Sequence, residues 1–203
     1  MPLPVVPLAR SHRADEVEPM GRQALSDVYD PVAAGELLPD GFRQLLPRDA
    51  IPPVYEPRFT SAEDARYPDD ALVLGVEIDG DAHAYPISVL NHREMVNDKV
   101  GGTPILSTWL PLGSAAMVHR REIEGEEVVL GNQGALFKGA MTWWDHDTGS
   151  VWSQTHGEAI LGPRAGYRLE SLPFTVTVWA SWRRDHPGTL ALDADSARVH
   201  TAG

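Results

Sequence analysis

Leu72–Trp109 reads LVLGVEIDGDAHAYPISVLNHREMVNDKVGGTPILSTW. Leu72–Ile78 and Ala82–Tyr85 are short apolar runs on either side of Asp79-Gly80, a dipeptide suited to the tight turn of a two-residue hairpin. Pro86 fits the first position of a helix, where its missing N–H costs no hydrogen bond. Ile87–Asn97 therefore reads as a helix that stops before Gly101-Gly102. Ile105–Trp109 reads as a short strand. A hairpin, a helix and a strand in quick succession predict a β domain with small helical insertions.

The same grammar continues downstream. Ala115–Ile123 and Glu126–Leu130 flank Glu124-Gly125, and Ala140–Asp145 and Ser150–Thr155 flank Asp147-Thr148-Gly149. Ala159–Leu161, Tyr167–Glu170 and Leu190–Leu192 are further short strand candidates. Thr177–His186 reads as a helix with Trp179 and Trp182 on one face, closed by Pro187. The N-terminal part differs: eleven of the 17 prolines fall in the first 70 residues, while all six tryptophans lie between Trp109 and Trp182. Residues 1–48 are thus expected to form an extended N-terminal arm, and 49–203 a single β-rich domain. Short helices are expected near Arg22–Asp30 and Gly41–Leu46, and the proline-rich run RDAIPPVYEPRF should be extended. The fold class expected is mainly β (α+β), with antiparallel hairpins forming a sheet or barrel-like core.

Composition bounds the function. A chain of 203 residues can bury one sizeable core. Seventeen basic against 29 acidic residues give a net charge of −12, which repels phosphate backbones and argues against nucleic acid as a partner. No apolar run is long enough to span a bilayer. The start, MPLPVVPLARSHRADEVEP, lacks the pattern of a secretory signal, so a cytoplasmic location is expected. The chain has no cysteine, which removes disulfides, thiolate nucleophiles and cysteine-ligated metals together.

The runs IPPVYEPRF, LGVEIDGDAHAYPISVLNHREMVNDKVGGTP, TWLPLGSAAMV, DHDTGSVWSQTHGEAILGP and WASWRRDHPGTL resemble domain-of-unknown-function family 3179. The resemblance covers roughly Asp49 to Leu192, and several long motifs in order make it specific. It implies little about activity. Relatives often carry Cys-Pro-Leu-Cys where this chain has Leu110-Pro111-Leu112-Gly113. Any metal or redox chemistry of those cysteines could not proceed the same way here.

Val89, His92 and Val96 share a helical face, so His92 is expected to point inward, as a general base or a metal ligand. Glu94 falls on the Ile87–Leu90 face. A carboxylate there needs a distant partner or a metal, because Arg93 faces elsewhere. His92 and Glu94 are the candidate catalytic pair. His119 alternates with Ala115 and Met117, and His156 follows Trp152 and Gln154 along one strand face. His92, His119 and His156 are the candidate ligands for Cu, Fe or Zn. No closely spaced histidine pair exists, so they would have to converge from separate elements. Trp109, Trp143, Trp152 and Gln154 are the candidate substrate-binding residues, walling an aromatic pocket with His156. Trp143 and Trp144 point to opposite faces of a strand, so one should reach the surface as a potential homodimer contact. His146, in Asp145-His146-Asp147, reads as turn chemistry, and His83 and Tyr85 share a strand face. Each of these residues also has an ordinary structural reading as a satisfied core or turn side chain. No nucleophile elbow or phosphate loop is present.

Three functions remain open. One is a small-molecule enzyme with a His-ligated metal, an oxidoreductase. The second is a cofactor-free isomerase, cyclase or lyase using His/Glu acid–base catalysis. The third is a non-catalytic small-molecule binding module.

Overall fold

The structure, a computed structural model, describes residues 28–197. It is mainly β, with two short helices among the described residues. One five-stranded sheet contains β2 (Phe59–Ser61), β3 (Leu72–Ile78), β4 (Asp81–Pro86), β14 (Thr175–Val178) and β15 (Leu190–Leu192), in the order β14-β3-β4-β15-β2. A three-stranded meander follows: β5 (Met95–Val100), β6 (Thr103–Leu110) and β7 (Ala115–Arg120). The other five-stranded sheet orders β1 (Phe42–Gln44), β10 (Leu130–Phe137), β11 (Ala140–Asp145), β12 (Val151–Ser153) and β13 (Glu158–Leu161). A small ribbon pairs β8 (Glu122–Ile123) with β9 (Glu126–Glu127). All strand pairs are antiparallel except β15 with β4.

The meander is the middle layer, and its sequence shows why. Ile105 and Trp109 of β6 join the core shared with Leu74, Val76, Tyr85 and Leu192 of the first sheet. Leu106 and Leu110, one step out of phase, join the core shared with Leu130, Met141, Trp143 and Trp152 of the other. Alternation thus feeds two cores from one strand, and a strand buried on both faces loses the polar–apolar pattern of a surface strand. Two polar residues of β5 peg the layers together. Asn97 exchanges bonds with the backbone of Leu130, 2.9 Å each way. On the opposite face, Asp98 accepts from Tyr85 Oη at 2.6 Å. Outside the first sheet, α2 (Trp179–Asp185) lays Trp179 and Trp182 on Val73, Ala84 and Ala191. Gly75 is the floor of that contact: a Cβ there would come within 2.5 Å of the Trp182 ring.

Four expectations are corrected. The helix α1 spans Ile87–Arg93 only, because Glu94 turns left-handed at φ 58° and Met95–Val100 becomes a strand. Gly101-Gly102 is therefore the turn of the β5–β6 hairpin and not a helix stop. Gly41–Leu46 is not helical: Phe42–Gln44 is β1, paired with β10, so the sheet draws in residues before Asp49. Residues 175–178 extend as β14 before α2 begins. The helix expected near Arg22–Asp30 falls mostly outside the described residues. Val54 bridges to Val96, in keeping with the extended reading of the proline-rich run. Among the described residues, no helix is long and apolar enough to cross a membrane.

Candidate functional site

His92 faces solvent. The shortened α1 buries Ile87, Val89, Leu90 and Arg93, and leaves Asn91 and His92 exposed. Val96 now belongs to a strand, so the face it was expected to share with His92 does not exist. His156 is also exposed, because β12 ends at Ser153 and the alternation running from Trp152 stops there. His119 is the opposite case, fully buried with its ring 5.1 Å from that of Trp143. The three histidines lie in different surroundings, and among the described residues no three His, Asp or Glu side chains are grouped to hold a metal.

The aromatic wall is core. Trp109 belongs to one core cluster, with its Nε1 donating to Asn91 Oδ1 at 2.9 Å, while Trp143 and Trp152 belong to the other. Trp143 and Trp152 are cross-strand partners, both with no exposed surface. Gln154 is buried and donates to Thr108 Oγ1 at 3.1 Å and to the Ala115 carbonyl at 3.3 Å. Trp144, expected at the surface if Trp143 faces inward, is 1% exposed. His146 stacks on it at 4.4 Å and the Arg48 guanidinium lies 4.6 Å above its ring.

Glu94 is where the reading from sequence meets a site. Its Oε2 accepts from Asn132 Nδ2 at 2.9 Å, so the partner of this carboxylate is a distant amide. The backbone N–H of Asn132 donates to Asp49 Oδ1 at 2.7 Å. Asp49 Oδ2 in turn accepts from Tyr55 Oη at 2.7 Å, and His146 Nε2 lies 3.2 Å from that same hydroxyl. Tyr55 has one proton and gives it to Asp49, so His146 must donate from Nε2, which fixes its tautomer. The outcome is a continuous polar chain, Glu94–Asn132–Asp49–Tyr55–His146, at the corner where α1 meets β5, β10 and the end of β11. Asp49, Tyr55, Glu94 and His146 are each partly exposed.

Burial sets the electrostatics. It raises the carboxyls of both Asp49 and Glu94 above their ordinary range, against hydrogen bonds that pull them down. Burial and the neighbouring Asp49 keep Tyr55 protonated, its hydroxyl pushed far up. Burial also lowers His146 to about 4, so its ring is neutral near pH 7. Both carboxyl residues stand on left-handed backbone, Asp49 at φ 52° and Glu94 at φ 58°. Asp tolerates that conformation through local bonding, and Glu94 takes it as the residue that ends α1, its N–H donating to the Leu90 carbonyl at 2.8 Å.

The family model described as Protein of unknown function (DUF3179) matches residues 48–201. The chain belongs to the DUF3179 family. No curated protein and no solved structure matches it. Every member of the polar chain lies inside the DUF3179 match, from Asp49 to His146. The Leu110-Pro111-Leu112-Gly113 turn, where the Cys-Pro-Leu-Cys run was expected in relatives, supplies no bond to it; Leu112 is 87% exposed there.

Sequence reading reached Glu94 in this DUF3179 protein but missed Asp49, Tyr55 and Asn132. One signal was available, in Gly131-Asn132-Gln133-Gly134. A Cβ on Gly131 would come within 2.2 Å of Trp144 Nε1 and 2.9 Å of Asp49 Oδ1. One on Gly134, at φ 73°, would meet the Leu46 carbonyl at 2.4 Å. Glycines bracketing a polar residue in a strand mark a close approach of other chain segments.

Proposed function

We propose that this protein is a small-molecule enzyme of the isomerase, cyclase or lyase type, in which Glu94 moves a proton and Asp49, Tyr55 and Asn132 arrange the charge around it. The observation that carries the proposal is that one asparagine donates to two desolvated carboxyls, from its side chain to Glu94 and from its backbone to Asp49. A carboxyl raised by burial shares protons with substrate more evenly at neutral pH than a solvated one, which suits a general acid–base. Asn132 donates to Glu94 and so favours its charged form between proton transfers. Tyr55 and the fixed tautomer of His146 keep Asp49 bonded as the second carboxyl. A small organic substrate, with no nucleic acid or membrane partner and a cytoplasmic setting, completes the proposal. The same chain without turnover would be a binding module.

Incubation in D2O with a panel of small carbonyl and hydroxyl compounds, followed by proton NMR, tests this. Wild-type protein is expected to exchange a proton of at least one compound or convert it. Glu94→Gln is expected to lose that turnover while keeping the wild-type melting temperature. Compounds that bind without exchange would favour the binding module, and exchange that survives Glu94→Gln would assign the proton transfer to another group.

A further inference from the structure

Trp109 ties the end of α1 to β6 at two points. Its backbone N–H donates to the Glu94 carbonyl at 2.8 Å, and its ring Nε1 donates to Asn91 Oδ1 at 2.9 Å. The ring is buried in the core shared with the first sheet. An indole N–H only donates, so Asn91 must present its oxygen to the ring and turn its NH2 group away. Asn91 itself is exposed. An amide at such a position ordinarily rotates in water, and asparagine is a poor helix former; here a core tryptophan pins it. Among the described residues, Nδ2 of Asn91 has no hydrogen-bond partner. Glu94 ends α1 three residues later, about one helical turn away. Its Oε2 is taken by Asn132, and Oε1 has no partner among the described residues. The end of α1 therefore carries an open donor of fixed direction and an open carboxyl oxygen.

We infer that the substrate is a carbonyl compound with a hydrogen on the neighbouring carbon, and that Asn91 is a catalytic residue donating to its oxygen while Glu94 removes that hydrogen as a proton. The inference rests on the acid–base reading of Glu94 and names the substrate class for it. A carbonyl oxygen and the hydrogen on the next carbon are close enough for one small molecule to meet both groups, which stand about one turn, roughly 5 Å, apart. The C–H electron pair becomes the C=C bond of an enolate, and the carbonyl π pair moves onto oxygen, where the Asn91 N–H meets the developing charge. Glu94 then returns a proton to the carbon, and no oxidant or reductant takes part. Trp109 is a positioning residue. Without its N–H the Asn91 amide rotates freely, and an amide that turns its oxygen toward an enolate repels it.

Proton NMR of the full chain in D2O tests this, with hydroxyacetone as the carbonyl probe and propane-1,2-diol as its reduced counterpart. The ketone should exchange its α-protons and the diol should not. Asn91→Ala should slow the exchange about 100-fold, and Trp109→Phe about 10-fold, through kcat and not KM. The double variant should be no slower than Asn91→Ala alone, a non-additivity that a merely structural role for Trp109 would not give. Acetohydroxamate, a mimic of the enediolate, gives a readout that needs no turnover: it should shift the Asn91 side-chain amide resonances in wild type and still shift them in Glu94→Gln. Exchange abolished by Glu94→Gln but untouched by Asn91→Ala would overturn the role of Asn91 and leave that of Glu94 standing. Additive losses in the double variant would overturn the positioning role of Trp109. No exchange of hydroxyacetone, or turnover of the diol in its place, would overturn the substrate class, and an Asn91 amide indifferent to acetohydroxamate would overturn the inference whatever Glu94 does.

Discussion

Asp145→Ala is expected to lower stability by about 3–5 kcal/mol, because it strands several buried donors at once and removes the buried one of the two carboxylates that Arg164 pairs with. Asp145 has no exposed surface. It accepts from Thr148 N at 2.7 Å, Thr148 Oγ1 at 2.9 Å and Trp152 Nε1 at 2.9 Å, and lies 3.0 Å from Arg164 Nη1. Those contacts close the turn between β11 and β12 and fix Trp152 in the core. For a chain of this length the loss corresponds to roughly 10 °C in melting temperature. Asp69→Asn is the control. Its partner Arg183 is 41% exposed and Asp69 itself 71%, so that pair should contribute only a few tenths of a kcal/mol. Thermal denaturation of the two variants side by side checks the contrast. An Asp145→Ala protein within about 1 kcal/mol of wild type would show that the turn is held by something else.

The second large effect is a loss of stability in acid centred on His119. Neither ring nitrogen has a hydrogen-bond partner among the described residues, and burial lowers its pKa to about 4. In the unfolded chain a histidine titrates near 6.5. Between those values the unfolded state binds the proton and the folded state does not. The stabilising difference is therefore complete above about pH 6.5 and is lost as pH falls to about 4, amounting to roughly 3 kcal/mol. His146, lowered to about 4 as well, acts in the same direction but is partly exposed, so its share is smaller. His119→Leu should flatten the pH dependence across this window and leave stability at pH 7.5 unchanged or higher, since it removes two unsatisfied polar atoms. Denaturant midpoints at pH 7.5 and pH 5 in both proteins check it. A wild-type drop that His119→Leu reproduces in full would assign the acid sensitivity to other groups.

The parts of the fold legible in sequence were those written in local turn chemistry. Asp79-Gly80 and the Asp147-Thr148-Gly149 turn gave their hairpins correctly, and the spacing of Trp179 and Trp182 gave the buried face of α2. What failed were strands buried on both faces. Met95–Val100 has apolar residues at its start and end and Asn97-Asp98 between them, which reads like the tail of the helix before it. Only the partner layers, with Leu130 on one side and Tyr85 on the other, explain those two polar residues. The β10 strand was missed for the same reason, its Gly-Asn-Gln-Gly run resembling a loop until the segments crossing it are seen. Histidine positions fared worst. His92 and His156 were assigned an inward face by continuing a periodicity past the end of its element, and an error of one or two residues at an element boundary reverses which way a side chain points. Glu94 was found because a carboxylate in an apolar stretch needs a partner, an argument that does not depend on register. Its partners Asn132 and Asp49 lie 38 residues downstream and 45 upstream, with no local pattern linking them.

Carbon-13 NMR titration of the side-chain carboxyls is the most direct measurement of the central claim, that Glu94 and Asp49 are desolvated carboxyls, each bonded to a different group of Asn132. In the wild-type protein both should titrate above their ordinary range. Asn132→Ala removes the side-chain donor to Glu94 but keeps the backbone N–H that serves Asp49. Glu94 should therefore move further upward in that variant while Asp49 stays nearly in place. Carboxyls that titrate like solvated ones, or a Glu94 indifferent to Asn132, would contradict the account.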